Sequence, residues 1–391
     1  MQHLLACCFC QSKKEKEKNR GCSRTGEEPQ QEGEPAPRPS HTPPDSGPRT
    51  RTGSTKSRQG EKGEKRHNTH TDTGTPFGYQ VTRKLSINPG DAIISTTQRD
   101  FVQLGGHLGH FHIAGPGALW KQQAKDGEIE AKVLKELNES SLHAYVPDFL
   151  GTKEHDGKRW IGMEDVMCHF TDGCGMDIKM GTRTFKEFEV KNQKLREDLY
   201  DKMVKQDPSE PTEQENIDKA VTKLRYMTFR ERESSSQTLG FRVEAMKIWG
   251  QGTNKDFKTL KYKDQVKNAL KIYFNPLGRS GIEGFLRELE NVTQLLEEST
   301  YFKEHEFVGT SLLFVYDRER VGIWLIDFGK TTEISELVEG GQITHDKPWE
   351  LGNYEDGYFF GLRSLLTVVK EIYDEREEGE EASQYTTIRV N

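Results

Sequence analysis

The sequence is poor in apolar residues and contains no long hydrophobic run. Hydrophobic residues make up 32% of the 391 residues and charged residues make up 30%. No stretch approaches the ~18 consecutive apolar residues that a membrane-spanning helix needs. The first ten residues, MQHLLACCFC, are too short for the apolar core of a signal peptide, lack a basic start and show no small-residue cleavage pattern. We therefore expect neither a transmembrane segment nor a secretory signal.

Cysteine is also scarce, and most cysteines precede the part of the chain that can fold. The six are Cys7, Cys8, Cys10, Cys22, Cys168 and Cys174. Their placement argues against a disulfide framework and favours a cytoplasmic protein. Cys7, Cys8 and Cys10 stand just before KKEKEKNR, which suits S-palmitoylation with weak attraction to an anionic membrane. Two alternatives stay open, an acyl anchor at these three cysteines or an unmodified tail.

The N-terminal region lacks the residues that build a core. Between residues 11 and 75 only Cys22 and Ala36 belong to the hydrophobic set. Such a segment cannot bury enough apolar surface to offset the entropy lost on ordering it. We therefore predict a disordered, mildly basic arm over residues 1–95, whose contacts with membrane or cytoskeleton the sequence leaves open.

Net charge separates this arm from the rest of the chain. Residues 1–75 hold 14 of the 56 basic and 10 of the 63 acidic residues, which leaves 42 basic and 53 acidic residues beyond them. A domain that binds nucleic acid non-specifically is expected to be net basic. The acidic remainder therefore argues against a nucleic-acid partner, although it leaves room for a local basic pocket.

The first part of the remaining chain has the periodicity of strands and one helix. Residues 100–122 alternate apolar and polar side chains between glycines, which predicts two short strands and a turn. Apolar residues then recur at helical spacing at Ile129, Val133, Leu134 and Leu137. KRWIGMEDVM has the pattern of a strand that enters a linker, and MDIKMGTRTF that of another extended segment. A small strand-rich lobe is expected.

The second part is dominated by helical patterns. Residues 185–263 are highly charged and repeat apolar residues at helical spacing, at Leu195, Leu199, Met203, Ile217, Val221 and Leu224. FLRELENVTQLLEEST and GYFFGLRSLLTVVKEIY predict amphipathic helices, and TSLLFVYD and VGIWLIDFG predict two strands joined by a turn. We predict an α+β fold with two lobes around a cleft over 96–375, a helical insertion at about 185–263, and an acidic tail over 376–391.

A carboxylate stands at the exit of the apolar run GIWLIDFGKTT. Asp327 is followed by Phe328, Gly329 and Lys330. Mg²⁺ prefers hard oxygen ligands and needs few protein groups when nucleotide phosphates complete its shell. In protein kinases an Asp-Phe-Gly binds such a metal. The alternative for so short a motif is an ordinary surface aspartate at the end of a hairpin.

An Asp-x-Lys lies upstream, in Asp177-Ile178-Lys179. On an extended segment these two side chains project to the same side, so they can contact a phosphate and an acceptor hydroxyl together. Lys121 in GALWKQ is placed to bind nucleotide phosphates, and the MEDV turn could bond adenine through its backbone. The chain lacks His-Arg-Asp and Ala-Pro-Glu, and about 150 residues separate the two motifs. A protein kinase is therefore not indicated.

Six segments carry a resemblance to a known family. MDIKMGTRTF, VTKLRYMTFRE, SSSQTLGFRVEAMK, TSLLFVYD, WLIDFGKTT and KPWELGNYEDGYFFGL resemble, in this order, the inositol 1,4,5-trisphosphate 3-kinases of the inositol polyphosphate kinase superfamily. The resemblance covers about residues 100–373. It implies a two-lobed fold distantly similar to protein kinases, with a helical insertion that binds the inositol phosphate. It also implies ATP and Mg²⁺ as cofactors and phosphorylation of the 3-hydroxyl of a calcium-releasing messenger.

The resemblance assigns roles to particular residues. It implies that Asp177, Lys179 and Asp327 are catalytic and that Asp327 binds the metal. It implies ATP contacts at His110, Lys121, Glu164, Asp165, Val166, Asp177, Lys247 and Asp327. It implies contacts with the inositol phosphate at Lys179, Arg196, Lys223, Arg225, Tyr226, Arg230 and Lys330. The cations between Lys223 and Lys247 suit a polyphosphate, although a solvated helix face is the usual reason for such a cluster.

Two aspects of the activity stay open at this stage. A broader inositol polyphosphate multikinase is one alternative, which the long insertion disfavours because a large lid should exclude bigger substrates. A scaffold with a vestigial kinase domain is the other, which the intact Asp177, Lys179 and Asp327 disfavour. Three departures from the family pattern, at Gly173, Leu224 and Thr310, should be tolerated.

Regulation by calmodulin is a further implication of the resemblance. Vertebrate relatives bind calmodulin through a basic amphipathic helix that overlaps KLREDLYDKMVKQ, so residues 191–205 are the candidate segment. Its apolar anchors are Leu195, Leu199 and Met203. Three acidic residues in the same stretch reduce its positive charge, so both outcomes stay open.

Overall fold

The computed structural model describes residues 80–81, 111–113, 117–123 and 128–376. The predictions for His110, for the candidate acyl anchor at Cys7, Cys8 and Cys10, and for the tail beyond residue 376 lie outside the described residues. The prediction that all of residues 1–95 are disordered is wrong at residues 80 and 81. Gln80–Val81 forms a short strand, β1, that pairs with a strand near residue 320. None of the described helices combines the length and hydrophobicity that crossing a bilayer requires.

The first lobe is a four-stranded antiparallel sheet with one helix, as the alternating pattern predicts. Its strands are β2 (Phe111–Ile113), β3 (Ala118–Gln122), β4 (Phe149–His155) and β5 (Lys158–Glu164). They lie in the order β2-β3-β5-β4. Helix α1 (Glu128–Asn138) buries Val133, Leu134 and Leu137, which were predicted to share one face.

The second lobe is built on a five-stranded sheet. Its other strands are β6 (Cys174–Met180), β9 (Phe241–Lys247), β11 (Ser311–Tyr316) and β12 (Arg320–Ile326). The order is β1-β12-β11-β6-β9. Strands β6 and β12 are both antiparallel to β11, so they are parallel to each other and end at the same edge. There Ser311 is paired with Lys179 on one side and with Ile326 on the other.

The insertion between β6 and β9 forms short helices and a two-stranded sheet. Its elements are β7 (Leu195–Arg196), α2 (Glu197–Gln206), α3 (Glu213–Asp218), β8 (Val221–Thr222), α4 (Lys223–Arg232) and α5 (Ser236–Leu239). They pack around a small core that includes Leu199, Met203 and Phe229. Ile217 and Leu195 are exposed, so the predicted helical periodicity does not mark a buried face at these two positions.

The predicted helical insertion at 185–263 is wrong in its last part. Phe241–Lys247 is the edge strand β9 of the main sheet, paired along its length with β6. A bulge interrupts the alternation of the run FRVEAMK, so apolar residues are buried on both faces of the strand, among them Phe241, Val243 and Ala245. The insertion therefore ends near Gly240, and the sheet resumes there.

A helical layer covers one face of the main sheet. It consists of α6 (Lys263–Phe274), α7 (Gly278–Glu298), α8 (Thr300–Lys303) and α9 (Tyr358–Asp374), with a small sheet of β10 (His305–Phe307) and β13 (Thr331–Glu333) beside it. Short 3-10 helices lie at Ser141–Tyr145, Val166–His169, Glu187–Lys191, Asn275–Leu277 and Glu339–Gly341. Phe285 of α7 packs on Phe314 of β11, with ring centroids 5.1 Å apart. This core fixes the sheet whose edge carries the site.

Candidate functional site

One cavity of about 500 Å³ collects side chains from both lobes and from the insertion. It is lined by Phe111, Lys121, Glu130, Asp177, Lys179, Thr184, Met227, Arg230, Arg242, Glu244, Lys255, Lys258, Gly309, Asp327, Gly329 and Lys330. Seven of these side chains are basic and four are acidic. In a chain with a formal net charge of −7, this local excess of cations suits a ligand with several negative charges.

Asp177 and Lys179 are placed in the cavity by strand β6, whose alternate residues face the same side. Asp177 is buried, and its Oδ1 has no hydrogen-bond partner. Burial raises the pKa of this carboxyl to about 6, against the opposing charge of Lys179. The Lys179 Nζ donates to the Gly309 carbonyl oxygen at 3.0 Å and lies 3.4 Å from Ser311 Oγ. An unpaired carboxylate oxygen and an oriented ammonium therefore stand side by side.

Asp327 stands directly after β12, where the backbone leaves the sheet. Its φ of 68° is a left-handed conformation that a residue other than glycine rarely adopts. Its Oδ1 accepts a hydrogen bond from Lys121 Nζ at 2.6 Å, and the same ammonium donates to Glu130 Oε1 at 2.6 Å. Burial alone would raise the pKa of Asp327, but the charges of Lys121 and Lys179 lower it. The first lobe is thus joined to the end of β12.

Glu130 is a site residue that the sequence reasoning missed. It lies in the first turn of α1 and is buried. Burial would lower the pKa of Lys121, but the charges of Asp327 and Glu130 raise it, so Lys121 stays an ammonium. The available signal was a glutamate in the first helical turn after the strand that carries the lysine. An acidic first turn is common in helices, so this signal alone could not separate Glu130 from Glu128.

Lys330 faces the cavity from the turn after Asp327. Its Nζ donates to the Thr184 carbonyl oxygen at 2.7 Å. Burial lowers the pKa of this ammonium to about 8, although the charge of Glu189 opposes the shift. Thr184 is held in turn by the buried Glu231 of α4, which accepts from its backbone N at 2.6 Å and from its Oγ1 at 2.8 Å. One carboxylate therefore links the insertion to the position of Lys330.

A bulge in β9 shapes another wall of the cavity. The register between β6 and β9 shifts between Asp177 and Ile178, which leaves Glu244 as the extra residue of β9. Glu244 Oε1 accepts from Arg242 Nη2 at 2.5 Å and lies 3.8 Å from Arg230 Nη2. Arg242 and Glu244 are further site residues that the sequence reasoning missed, because the bulge is set by strand pairing rather than by local sequence.

The structure brings together only part of the predicted ATP site in this cavity. Lys121, Asp177 and Asp327 line it, whereas Glu164, Asp165 and Val166 do not. The Glu164 carboxylate is buried against His169 Nε2 and the Asp148 amide, and the Asp165 amide donates to the Gly117 carbonyl oxygen. The Glu164 carboxylate and the Asp165 amide are therefore engaged, whereas the adenine contact predicted through the backbone of this turn stays a prediction.

Val166 is the linker residue that remains suitable for adenine. It begins a 3-10 helix, where a backbone amide has no partner within the helix. Its side chain packs with Leu313 and Trp324 in a buried apolar cluster. An apolar wall beside a backbone amide suits a planar base, so this part of the prediction is kept.

Lys247 does not line the cavity, so its predicted place near the nucleotide phosphates stays a prediction. It is opposite Gly175 at the far end of β6. Its Nζ donates to the Gly173 carbonyl oxygen at 3.3 Å and lies 3.9 Å from Asp172 Oδ1. Lys247 and Arg230 are close in sequence and were predicted to form one cluster. In the structure Arg230 lies in α4 and lines the cavity, whereas Lys247 lies at the end of β9 and does not.

Of the cations predicted in the insertion, only Arg230 lines the cavity. Arg196 is bonded to Asp198 at 2.6 Å, and Arg225 forms ion pairs with Glu210 at 2.7 Å and Glu215 at 2.9 Å. Lys223 pairs with Glu189, and Tyr226 packs on the small core of the insertion. Substrate contacts at these four positions stay predictions that the observed geometry does not support.

The candidate calmodulin segment is part of the folded insertion. Two of its three apolar anchors, Leu199 and Met203, are buried in the insertion core, and only Leu195 is exposed. A helix that binds a partner in a groove must present its apolar face. In this conformation residues 191–205 do not present that face, and calmodulin binding stays a prediction.

The family follows from comparison with known proteins. The family model described as inositol polyphosphate kinase matches residues 160–370, more than half of the chain. The chain belongs to the inositol polyphosphate kinase family. This confirms, at the level of the family, the resemblance carried by the motifs around Asp177 and Asp327.

Several curated proteins are similar to this family member. It is 41% identical to human inositol-trisphosphate 3-kinase B over 277 residues, which is 70% of this chain and 28% of that protein. It is 39% identical to human inositol-trisphosphate 3-kinase A over 305 residues, 76% of this chain and 64% of that protein. A Caenorhabditis elegans homologue is 37% identical, over 74% and 59% of the two chains. The chain spans less than two thirds of each of these relatives.

A solved structure is also similar. It is an inositol phosphate multikinase from S. cerevisiae in complex with ADP and Mn²⁺, and it is 16% identical to this chain. The likeness covers 65% of this chain and 98% of that one, with a TM-score of 0.43. This likeness is too weak to support any inference about the site.

Proposed function

We propose that the chain is an inositol 1,4,5-trisphosphate 3-kinase, which transfers the γ-phosphoryl group of ATP to the 3-hydroxyl and yields inositol 1,3,4,5-tetrakisphosphate. The observation that carries the proposal is the convergence of Asp177 and Asp327 with an excess of lysine and arginine in one cavity. The curated relatives support the choice of substrate, because those named above are inositol-trisphosphate 3-kinases or a homologue of them.

The residues present fit a divalent metal that is shared with nucleotide phosphates. Among the described residues no group of three or more His, Cys, Asp and Glu side chains is arranged to hold a metal. Mg²⁺ is commonly bound by one or two carboxylates together with substrate phosphates and water. Asp327 offers an ionised carboxylate at the cavity. When bound, the metal would neutralise charge on the transferring phosphoryl group.

The protein side chains divide the remaining tasks. Lys121, oriented by Glu130, would bind the nucleotide phosphates at the first-lobe end of the cavity. Lys179 and Lys330, oriented by main-chain carbonyl groups, would bind phosphates of the inositol ring. The free oxygen of Asp177 would accept the proton of the attacking hydroxyl, which needs its carboxylate ionised. Positioning and charge neutralisation are the main requirements for phosphoryl transfer.

Product analysis tests the proposal. The chain is incubated with ATP, Mg²⁺ and inositol 1,4,5-trisphosphate, and the position of the new phosphate is determined by NMR, with a parallel sample that contains a chelator. A single product phosphorylated at the 3-position, lost in the chelator sample, is expected. Comparable turnover of inositol tetrakisphosphates would favour the multikinase alternative instead. Absence of turnover of any inositol phosphate would favour a vestigial kinase domain.

A further inference from the structure

A loop that neither the motifs nor the relatives singled out brings two lysines to the cavity. Lys255 and Lys258 belong to residues 248–262, between β9 and α6, and both line the cavity. The loop is anchored to the sheet because Asn254 and Met246 exchange two backbone hydrogen bonds, of 2.8 and 2.9 Å. Phe257 stands between the lysines and is buried in the main core. Their backbone positions are therefore fixed, although their side chains are exposed.

Strand register indicates which part of the cavity these lysines border. The Met246–Asn254 bridge is antiparallel and lies on the outer edge of β9. The next register position places Lys255 beside Ala245, and Ala245 is itself opposite Asp177. Opposed residues share a face of the sheet, so Lys255 faces the same side as Asp177.

The loop then runs toward the end of the cavity that holds Lys179. The bridge is antiparallel, so a chain that kept this register beyond Lys255 would run in the direction of Arg242. Arg242 is opposite Lys179. The two loop lysines line the cavity together with Lys179, which was assigned above to the inositol phosphate, whereas Lys121 and Glu130 reach it from the first lobe.

Lys255 and Lys258 have no carboxylate partner in the cavity, because other cations bind three of its four carboxylates. Glu130 and Asp327 are both engaged by Lys121, and Glu244 is engaged by Arg242. Within the described part of the chain, no carboxylate lies within 4.0 Å of the Nζ of Lys255 or Lys258. An ammonium group is a compact charge that binds phosphate well without a fixed geometry. Two such groups facing a cavity are suited to one further phosphate.

We propose that Lys255 and Lys258 bind a phosphate group of the inositol phosphate and form a third basic wall of its subsite, beside Lys179 and Arg230. This inference rests on the function proposed above and adds residues that contact the substrate. The usual explanation for charges on a loop is solvation alone. Two observations argue against that explanation. The loop is anchored at Met246 and Phe257, and both lysines lie on the cavity surface.

Steady-state kinetics on the full chain tests the inference. Initial rates are measured for wild type, Lys255→Ala, Lys258→Ala and the double variant, with ATP and inositol 1,4,5-trisphosphate each varied in turn. Each single change is expected to raise KM for the inositol phosphate about three- to fivefold, which is the range for an exposed charge contact. The double change is expected to raise it about tenfold if the contacts add. The kcat and the KM for ATP should stay within about twofold, because both lysines are assigned to the inositol phosphate.

Ionic strength gives a readout that a structural role would not change. Exposed charges are screened by salt, with a Debye length of about 8 Å at 0.15 M ionic strength. KM for the inositol phosphate should therefore rise with salt more steeply in wild type than in the double variant. Arginine at both positions should restore most of the affinity, since it keeps the charge. Lys158→Ala serves as the matched control, because Lys158 is an exposed lysine outside the cavity.

The outcomes separate this inference from the proposed function. An active wild type with an unchanged KM in the double variant would overturn the inference and leave the function standing. A rise confined to KM for ATP would also overturn it, because the lysines would then belong to the nucleotide subsite. A wild type that neither binds inositol 1,4,5-trisphosphate in calorimetry nor phosphorylates it would overturn the function itself.

Discussion

The main sheet and the insertion both carry basic residues, but they hold them in different ways. At the sheet edge, Lys179 and Lys330 donate to main-chain carbonyl oxygens, which orient the ammonium groups without cancelling their charge. In the insertion, Arg196 and Arg225 are bound by carboxylates a short distance away in sequence. The comparison shows that a cluster of cations in sequence is a weaker guide to an anion site than the partners that the fold gives each cation.

The largest predicted effect comes from removing a carboxylate at the sheet edge. Asp177→Asn and Asp327→Asn should each lower kcat by about 100- to 1,000-fold, the usual range for one electrostatic group in an active site. KM for the inositol phosphate should change little, since these residues act on the transferred group. Steady-state kinetics on both variants gives the measurement, and Asp346→Asn, far from the cavity lining, is a suitable control.

The Asp177 variant also carries a stability prediction. Burial raises the pKa of Asp177, so the ionised group costs stability above pH 6 and its replacement by a neutral amide removes that cost. The unfolding midpoint of Asp177→Asn at pH 7.5 should therefore equal or exceed that of wild type. A variant that retained more than a tenth of the wild-type kcat, or that unfolded earlier, would contradict the role given to Asp177.

The next effect concerns the charge of Lys330. Its pKa is lowered to about 8, so the ammonium form predominates below pH 8 and is lost as the pH rises through that value. KM for the inositol phosphate should rise by about tenfold or more when this charge-assisted contact is lost. A pH series from 6.5 to 9.5 measures it. In Lys330→Met the KM should be high throughout and nearly independent of pH, and a wild-type slope that survived in this variant would refute the assignment.

A smaller effect should follow from weakening the contact between Glu231 of the insertion and Thr184, which orients Lys330 at the sheet edge. Glu231→Gln keeps the shape of the side chain but weakens the bonds to Thr184, whose carbonyl group orients Lys330. We expect a rise of about three- to tenfold in KM for the inositol phosphate, the size of one or two hydrogen bonds, with little change in kcat. Thr184→Ser, which keeps the hydroxyl group, should behave as wild type. Equal losses in both variants would indicate general destabilisation instead.

Part of this site was predictable from the sequence because it depends on strands. Asp177, Lys179 and Asp327 follow from two motifs at the ends of apolar or extended segments, and parallel strands bring such ends to one edge. Lys121 was predicted from its strand in the first lobe. Strands β2, β3, β5, β6, β11 and β12 and helices α1 and α9 were also predicted, from apolar runs or periodic apolar faces, whereas strands β1 and β9 were not.

The other site residues depend on contacts between segments that are distant in sequence, and a local sequence pattern does not show such contacts. Glu244 reaches the cavity because of a bulge, and Lys255 because a loop is bonded to Met246. Arg225 was assigned to substrate because it lies between other basic residues, but the fold supplies Glu210 and Glu215 as its partners. The boundary of the insertion was misplaced because the charged run continues into strand β9, where even Arg242 is buried.

One calorimetric experiment tests most directly which cations bind the substrate, and it includes the variant with the smallest expected effect. The Kd for inositol 1,4,5-trisphosphate is measured for wild type, Lys179→Met and Arg225→Met under one set of conditions. Lys179→Met should bind about 10- to 100-fold more weakly, the range for a lost charge-assisted bond. Arg225→Met should bind within about twofold of wild type, because its charge is already taken by carboxylates. Equal losses, or a larger loss in Arg225→Met, would contradict the claim that the cations at the sheet edge, rather than the carboxylate-bound cations of the insertion, bind the substrate phosphates.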